Sequence, residues 1–199
     1  IQETYNQYVW IPVPKISEFI NYAGYESGET KPHMLALRFE PYENGYATEV
    51  DEYNTMRTSV EKNKGFYVGR YELKGTDINS AEEKAGVVMT NKTWYQLYYA
   101  CSHINTGTAT VGAVESRMIW GCQWDMVCNY IANHGDKKNI NDSSTWGNYS
   151  NSALPANISG YGSKQNTGFS EYWCANKIYD IAGNFFEWTQ EACSTHDRA

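Results

Sequence analysis

The sequence predicts a single α+β domain with few regular elements and a long ordered loop region. Three segments show helical spacing of apolar residues, and short aromatic runs bounded by glycine or proline are typical of strands. From residue 134 to 172, Asn, Ser, Gly, Thr and Tyr dominate, but aromatic and aliphatic residues recur throughout. Such spaced anchors favour an ordered loop region over disorder. A length of 199 residues suits one domain.

The N-terminal part, residues 1–64, is predicted to contain two strands and one helix. Tyr8–Pro14 is an apolar run bounded by prolines, which indicates an edge strand, and His33–Pro41 alternates as a second strand. The helix is predicted to begin at an Asp51 N-cap and to end at Gly65. Its buried face is predicted from Tyr53, Met56 and Val60.

The remainder, residues 65–199, begins with a predicted aromatic-rich strand over Gly65–Gly75. Thr93 is the predicted cap of a second helix, because apolar residues follow it at helical spacing. A third helix is predicted from Gly121 to Ala132. Its apolar face has the i, i+3, i+4, i+7 spacing and contains Trp124, Val127, Cys128 and Ile131.

Composition excludes two classes of partner. The formal net charge of −7 and the lack of any basic run argue against nucleic acid, because phosphate binding requires a basic face. No stretch reaches the length of a membrane-spanning helix, so no membrane insertion is expected.

The five cysteines do not form a CxxC motif, so their spacing predicts no zinc or redox site. Cys101 and Cys128 fall on apolar faces of predicted helices, where a free cysteine packs as a small hydrophobic residue. The pattern favours reduced thiols and folding in a reducing compartment. One disulfide that involves Cys174 or Cys193 stays open.

Four segments, in order, resemble the formylglycine-generating-enzyme (sulfatase-modifying-factor) family. GFYVGRYE at Gly65–Glu72 is similar to the family's opening core strand, and Glu115–Ile131 to its Arg-Leu-Pro segment and following helix. TWGNYS at Thr145–Ser150 resembles a Trp-Gly-Asn loop. NKIYDIAGNFFEW at Asn176–Trp188 is similar to the family signature, and the resemblance covers residue 65 to the end.

The chain departs from that pattern at three positions: Ile119 replaces Pro, Gln123 replaces Glu, and Phe186 replaces Trp. The resemblance implies a C-type-lectin-like fold with low regular secondary structure and long ordered loops. The residues of these motifs resemble most closely a subgroup of the family from Firmicutes and their prophages. That subgroup includes the variable proteins of diversity-generating retroelements.

The signature also suggests a calcium site. The chain must reverse at Gly183-Asn184, and the carboxylates of Asp180 and Glu187 flank that turn. Together with the carbonyls of Gly183 and Phe185 they form the all-oxygen set that Ca²⁺ prefers, and the resemblance implies calcium at these positions. In the alternative interpretation, Asp180 caps the turn and Glu187 bonds to the backbone.

Catalysis is the less favoured function. The resembling enzymes oxidise a substrate cysteine with copper held by a cysteine pair near their C-terminus. None of the five cysteines matches that pair, so the resemblance does not imply copper or a catalytic residue in residues 1–199. The alternative is a copper oxidase of this type whose catalytic part is missing from the chain.

A non-catalytic binding module is therefore the predicted function, with a protein or glycan ligand and a location on a virion or bacterial surface. Tyr, Asn and Ser together suit a binding surface, because rings give rigid contact and small polar groups adaptable hydrogen bonds. The predicted ligand-binding residues are Trp146, Asn148, Tyr149, Tyr161 and Tyr172. The chain opens without Met and ends at EACSTHDRA, so we expect a leader or domain before it and a further segment after it.

Overall fold

The computed structural model describes residues 6–17, 43–76, 79–81, 85–104, 115–136, 138–150, 160 and 162–190. These residues form a mixed α+β structure with few helices and small two-stranded sheets, which confirms the coarse fold class. The helices are α1 (Glu43–Asn63), α2 (Trp94–Ser102) and α3 (Gly121–Asn133), with one 3-10 turn at Glu171–Trp173. The strands are β1 (Tyr8–Pro12), β2 (Gly65–Gly69), β3 (Lys74–Thr76), β4 (Asn79–Ala81), β5 (Cys174–Ala175) and β6 (Ile178–Tyr179).

Helix α1 is longer than predicted. It begins at Glu43, so Asp51 lies within the helix and its prediction as N-cap is wrong. No proline lies between Pro41 and the end of the helix at Asn63, and Ala47 and Glu49 are good helix formers, so the helix extends toward the N-terminus. Its predicted apolar face is confirmed, because the described side chains of Tyr53, Met56 and Val60 are buried.

Helix α1 ends where the sequence predicts. Lys64 adopts the left-handed conformation (φ 63°), which glycine adopts more often at the end of a helix, and Gly65 follows it. A Cβ atom on Gly65 would lie 2.4 Å from the Ile11 carbonyl oxygen. Glycine is therefore required for the close approach of β2 to β1.

Helices α2 and α3 confirm the predictions. Thr93 caps α2 in a full capping box: its side chain accepts from the Gln96 N–H, and the Gln96 side chain accepts from the Thr93 N–H. At the start of α3, the Gln123 side chain accepts from the Trp120 N–H at 3.1 Å. Gln123 thus satisfies one of the free N–H groups at a helix start.

The predicted strand Gly65–Gly75 is wrong in its length. Strand β2 pairs with β1 only to Gly69, and the Arg70 N–H still donates to the Gln7 carbonyl at 2.9 Å. After that point the backbone takes partners from segments far along the chain: the Arg70 carbonyl accepts from the N–H of Tyr179 in β6, and the Glu72 N–H donates to Thr167 Oγ1. A new strand, β3, then pairs antiparallel with β4.

The described residues form two compact units. One contains those of Ile1–Val9, Val68–Met118 and Asn129–Trp188, and the other those of Trp10–Tyr67, Ile119–Cys128 and Thr189–Ala199. The edge strand predicted at Tyr8–Pro14 is confirmed as β1. The strand predicted at His33–Pro41 lies outside the described residues, and the single-domain boundary 1–199 stays a prediction.

Among the described residues, Cys101, Cys122, Cys128 and Cys174 form no disulfide, and Cys193 lies outside the described residues. In the described part of the chain, no helix has the length and apolar character needed to cross a membrane.

Candidate functional site

The described loops after α3 are held together by two asparagine side chains. Asn148 is buried, and its side-chain amide donates to the Ser163 carbonyl at 2.8 Å while its Oδ1 accepts from the Gly162 N–H at 3.0 Å. An amide that donates and accepts at once can fix two chain segments. Asn148 therefore fastens the Trp-Gly-Asn loop to the loop at residues 162–165.

The backbone of Asn148 adds a second connection, to the Gly183-Asn184 turn. Its N–H donates to the Ala182 carbonyl at 2.9 Å, and its carbonyl accepts from the Asn184 N–H at 3.1 Å. Gly183 has a φ of +87°, and a Cβ atom there would lie 2.4 Å from the Asn148 carbonyl oxygen. The glycine of the signature is thus explained by backbone conformation and close approach.

Asn184 is the second bracing residue. Its amide nitrogen donates to Glu72 Oε2 at 2.7 Å and to the Gln165 carbonyl at 3.2 Å, and its Oδ1 accepts from the Gln165 N–H at 2.8 Å. The residue adopts a left-handed conformation (φ 64°), which asparagine tolerates better than most residues. Asn184 joins the turn to the 162–165 loop and to the chain after β2.

Asp180 connects loops and does not cap its own turn. Its side chain is fully buried, and Oδ2 accepts from the Gly168 N–H at 2.7 Å and from Thr167 Oγ1 at 3.4 Å. Its Oδ1 is buried and has no hydrogen-bond partner among the described residues. Burial raises the pKa of Asp180, although the Gly168 and Thr167 hydrogen bonds oppose that shift.

Glu72 is a site residue that the sequence analysis missed. Its Oε1 is buried and has no hydrogen-bond partner within the described part of the chain. Burial, with repulsion from Asp180, raises the pKa of Glu72 to about 9, and the Asn184 hydrogen bond only partly offsets this. A buried carboxyl group with this pKa holds its proton at neutral pH, because the ionised form would lose its hydration without gaining a counter-ion.

Glu187 lies in the same electrostatic group but differs in exposure. Burial of the carboxyl group among protein atoms, with repulsion from Asp180, raises its pKa to about 8. The residue as a whole is exposed to solvent, which screens its charge.

The predicted calcium ligands fit the ion in part. Asp180 supplies a buried oxygen atom that no described residue contacts by hydrogen bonding, and such an atom suits a hard cation. The Gly183 carbonyl already accepts from the Phe185 N–H at 2.8 Å. Within the described residues, no group of three or more His, Cys, Asp or Glu side chains is arranged to hold a metal ion. The calcium site stays a prediction.

Arg70, the residue after β2, binds the segment that contains β6. Its guanidinium donates to the Lys177 carbonyl at 3.1 Å and lies over the rings of Tyr71 and Tyr179, 5.4 and 5.3 Å from their centroids. Those two rings stack on each other at 5.0 Å. These contacts anchor the segment that leads to Asp180.

The predicted ligand-binding residues differ in how much of each side chain is exposed to solvent. Trp146 is buried and its indole N–H donates to the Asn139 carbonyl at 3.0 Å, so it braces the loop, as Asn148 does. Tyr149 and Tyr172 are exposed, with 38% and 55% of their surface accessible. Tyr161 lies outside the described residues.

Three further exposed rings, which the sequence analysis did not select, lie in the same unit. Phe169 is half exposed and stacks on the buried Trp173, with centroids 5.9 Å apart. Phe186 is fully exposed and Trp188 is 46% exposed. The fully exposed ring of Phe186 has no packing role among the described residues.

No family model, no curated protein and no solved structure matches the chain.

Proposed function

We propose that this chain is a non-catalytic module that binds a protein or glycan ligand through aromatic rings on its asparagine-braced loops. The observation that supports this most directly is the contrast between Asn148 and Tyr149. Asn148 is buried and cross-links three segments, and the ring of the next residue is exposed. The loops thus have a fixed framework and an accessible aromatic surface.

Physical arguments favour binding at this surface. Exposed Tyr149, Tyr172 and Phe186 offer large contact areas at low cost in side-chain entropy. A framework held by hydrogen bonds before the ligand arrives lowers the ordering cost of association. Aromatic residues also dominate the binding energy of protein interfaces.

The proposal extends to a C-type-lectin-like fold and to the formylglycine-generating-enzyme family, within the subgroup of retroelement-diversified variable proteins on a virion or bacterial surface. Its support is the way the similar segments meet. Glu72 of the GFYVGRYE segment bonds to Asn184 of the signature. Asn148 of the Trp-Gly-Asn loop bonds to the backbone on both sides of Gly183. Two of the other three similar segments therefore each bond to the signature.

Binding and catalysis can be separated in one set of measurements. The chain is applied to arrays of glycans and of bacterial surface proteins, and it is also incubated with Cu(I), dioxygen as the oxidant and a cysteine-containing peptide. We expect saturable binding on an array that Tyr149→Ala weakens by about tenfold, and an unchanged peptide mass. Oxidation of the peptide cysteine to an aldehyde would overturn the proposal in favour of the copper oxidase.

We also propose that Ca²⁺ is held by the carboxylates of Asp180 and Glu187, with the carbonyls of Gly183 and Phe185. The support is the unpartnered Asp180 Oδ1 and the raised pKa values of the nearby carboxyl groups, which indicate a local deficit of positive charge. A bound divalent cation would favour the ionised carboxylates and fix the turn.

The calcium proposal predicts a difference between two variants. Added Ca²⁺ should raise the melting temperature of the wild-type chain over that in EDTA, because a ligand that binds only the folded state stabilises it. Asp180→Asn should abolish this increment, since it keeps an acceptor for the Gly168 N–H but removes the charge. The exposed Asp142→Asn is the control and should keep the increment. An equal melting temperature of the wild type in Ca²⁺ and in EDTA would contradict the site.

A further inference from the structure

The exposed ring of Tyr149 lies against the backbone of Gly147. A Cβ atom at Gly147 would lie 2.3 Å from Cε2 and 2.9 Å from Cδ2 of that ring. Carbon atoms in favourable contact are about 3.5–4.0 Å apart, so the ring edge can come this close only because glycine has no side chain. The ring keeps 38% of its residue's surface accessible, so it is placed by Gly147 and still open to solvent.

The backbone conformation of Gly147 does not itself require glycine. Gly147 is not among the described glycines with a positive φ, so alanine could adopt the same backbone angles. Its Cβ atom would lie 3.0 Å from the Ala182 carbonyl oxygen, a tight contact that a small shift relieves. The Tyr149 ring is the closer neighbour, and it can rotate about its side-chain bonds. An alanine at position 147 would therefore displace the ring before it disrupted the loop.

Ser143 contacts the far end of the same ring. Its hydroxyl donates to the Tyr149 hydroxyl oxygen at 3.2 Å. The Ser143 carbonyl also accepts from the Gly147 N–H at 2.7 Å and from the Trp146 N–H at 3.0 Å. Ser143, Gly147 and Tyr149 thus form a closed set of contacts, in which the ring is held at one edge and at its hydroxyl group.

We propose that Gly147 and Ser143 are positioning residues, which fix the orientation of the Tyr149 ring before a ligand arrives. A side chain that becomes ordered only on binding costs conformational entropy, and a ring that is already fixed avoids this cost. The effect on affinity rests on the proposed function, because it requires Tyr149 to contact the ligand. The orientation of the ring in the free chain does not, so the two proposals can fail separately.

Nuclear magnetic resonance of the chain without any ligand tests the orientation of the ring. In the wild type we expect nuclear Overhauser effects between the Tyr149 ring protons and the Gly147 α-protons. Gly147→Ala should shift the ring resonances, because the new methyl group moves the ring, and its melting temperature should stay close to that of the wild type. Absence of the Overhauser effects in the wild type, or unchanged ring resonances in the alanine variant, would overturn the proposal.

A double-mutant cycle tests the effect on affinity, and its probe is the member of the glycan and surface-protein arrays that binds the wild type most strongly. Gly147→Ala should weaken binding by about fivefold in the wild type and by less than about twofold in the Tyr149→Ala background, because no ring is left there to position. An equal factor in both backgrounds would show that Gly147 acts through the loop backbone, and would also overturn the proposal.

The same cycle identifies a failure of the proposed function. If no array member binds, or if Tyr149→Ala binds as tightly as the wild type, the proposed function fails. The resonance measurement still decides the orientation of the ring in that case, because it uses no ligand.

Ser143 supplies a second variant that preserves the backbone contacts if Gly147→Ala does not fold. Ser143→Ala keeps the carbonyl that binds the Gly147 N–H and loses the bond to the Tyr149 hydroxyl, so it should weaken binding by about threefold. It should have no effect in the Tyr149→Phe background, and an equal effect in both backgrounds would contradict its role. Ser143→Thr keeps a hydroxyl and should bind normally. Ser144→Ala, which removes a hydroxyl that bonds to Asp142, is the control and should bind as the wild type does.

Discussion

Glu72→Gln is expected to stabilise the chain at alkaline pH and to leave it unchanged at pH 4.5. The pKa of Glu72 is raised to about 9 in the folded state from 4.5. Between these values the folded state holds a proton that the unfolded state has lost, so stability is complete below pH 4.5 and falls as the pH rises toward 9. Glutamine resembles the neutral acid and removes this loss.

Thermal melting in EDTA at pH 4.5 and pH 8.5 measures the effect. We expect the melting temperature of the variant to exceed that of the wild type by about 5 °C or more at pH 8.5. The glutamine keeps an acceptor for the Asn184 amide, so the existing hydrogen bond survives. The control is Glu61→Gln, which replaces an exposed carboxylate on α1. It should change the melting temperature at neither pH. A variant that is no more stable than the wild type at pH 8.5 would refute the buried, neutral Glu72.

Asn184→Ala is expected to be the most destabilising single substitution in the loops. It removes four hydrogen bonds of 2.7 to 3.4 Å and leaves Glu72 Oε2 and the Gln165 N–H without their partner. It also places alanine at a positive φ. We expect a loss of about 3–4 kcal/mol in the free energy of unfolding.

Urea denaturation checks this value and separates its two causes. Asn184→Gly lacks the amide but tolerates the positive φ, so it should lose about 1 kcal/mol less than the alanine variant. Asn166→Ala, at an exposed position on the neighbouring loop, should stay within about 0.5 kcal/mol of the wild type. A similarly small effect for Asn184→Ala would show that its hydrogen bonds do not hold the loops.

The helices could be predicted well where local signals agree. In α2 and α3, apolar spacing and a residue at the cap act within four positions of each other, so one stretch of sequence contains the information. The start of α1 and the end of β2 were predicted wrongly. In β2 the cause is non-local, because the Arg70 carbonyl binds the Tyr179 N–H from a segment more than a hundred residues later.

The residues of the candidate site also differ in whether local sequence reveals them. The turn at Gly183-Asn184 and its flanking carboxylates Asp180 and Glu187 are adjacent in sequence and could be selected from it. Glu72 could not, because only folding brings it to Asn184. Asn148 was predicted to contact a ligand, but the structure places it in the interior, where its amide satisfies two backbone groups at once.

The central claim is that exposed rings on braced loops bind the ligand, and affinity measurements on one double variant test it most directly. Tyr149→Ala/Tyr172→Ala is compared with the wild type by surface plasmon resonance against the ligand that the arrays identify, with Tyr67→Ala as an exposed aromatic control outside these loops. The account predicts that the double variant binds at least tenfold more weakly, with wild-type melting behaviour, and that the control binds normally. Equal affinity of the double variant and the wild type would contradict it.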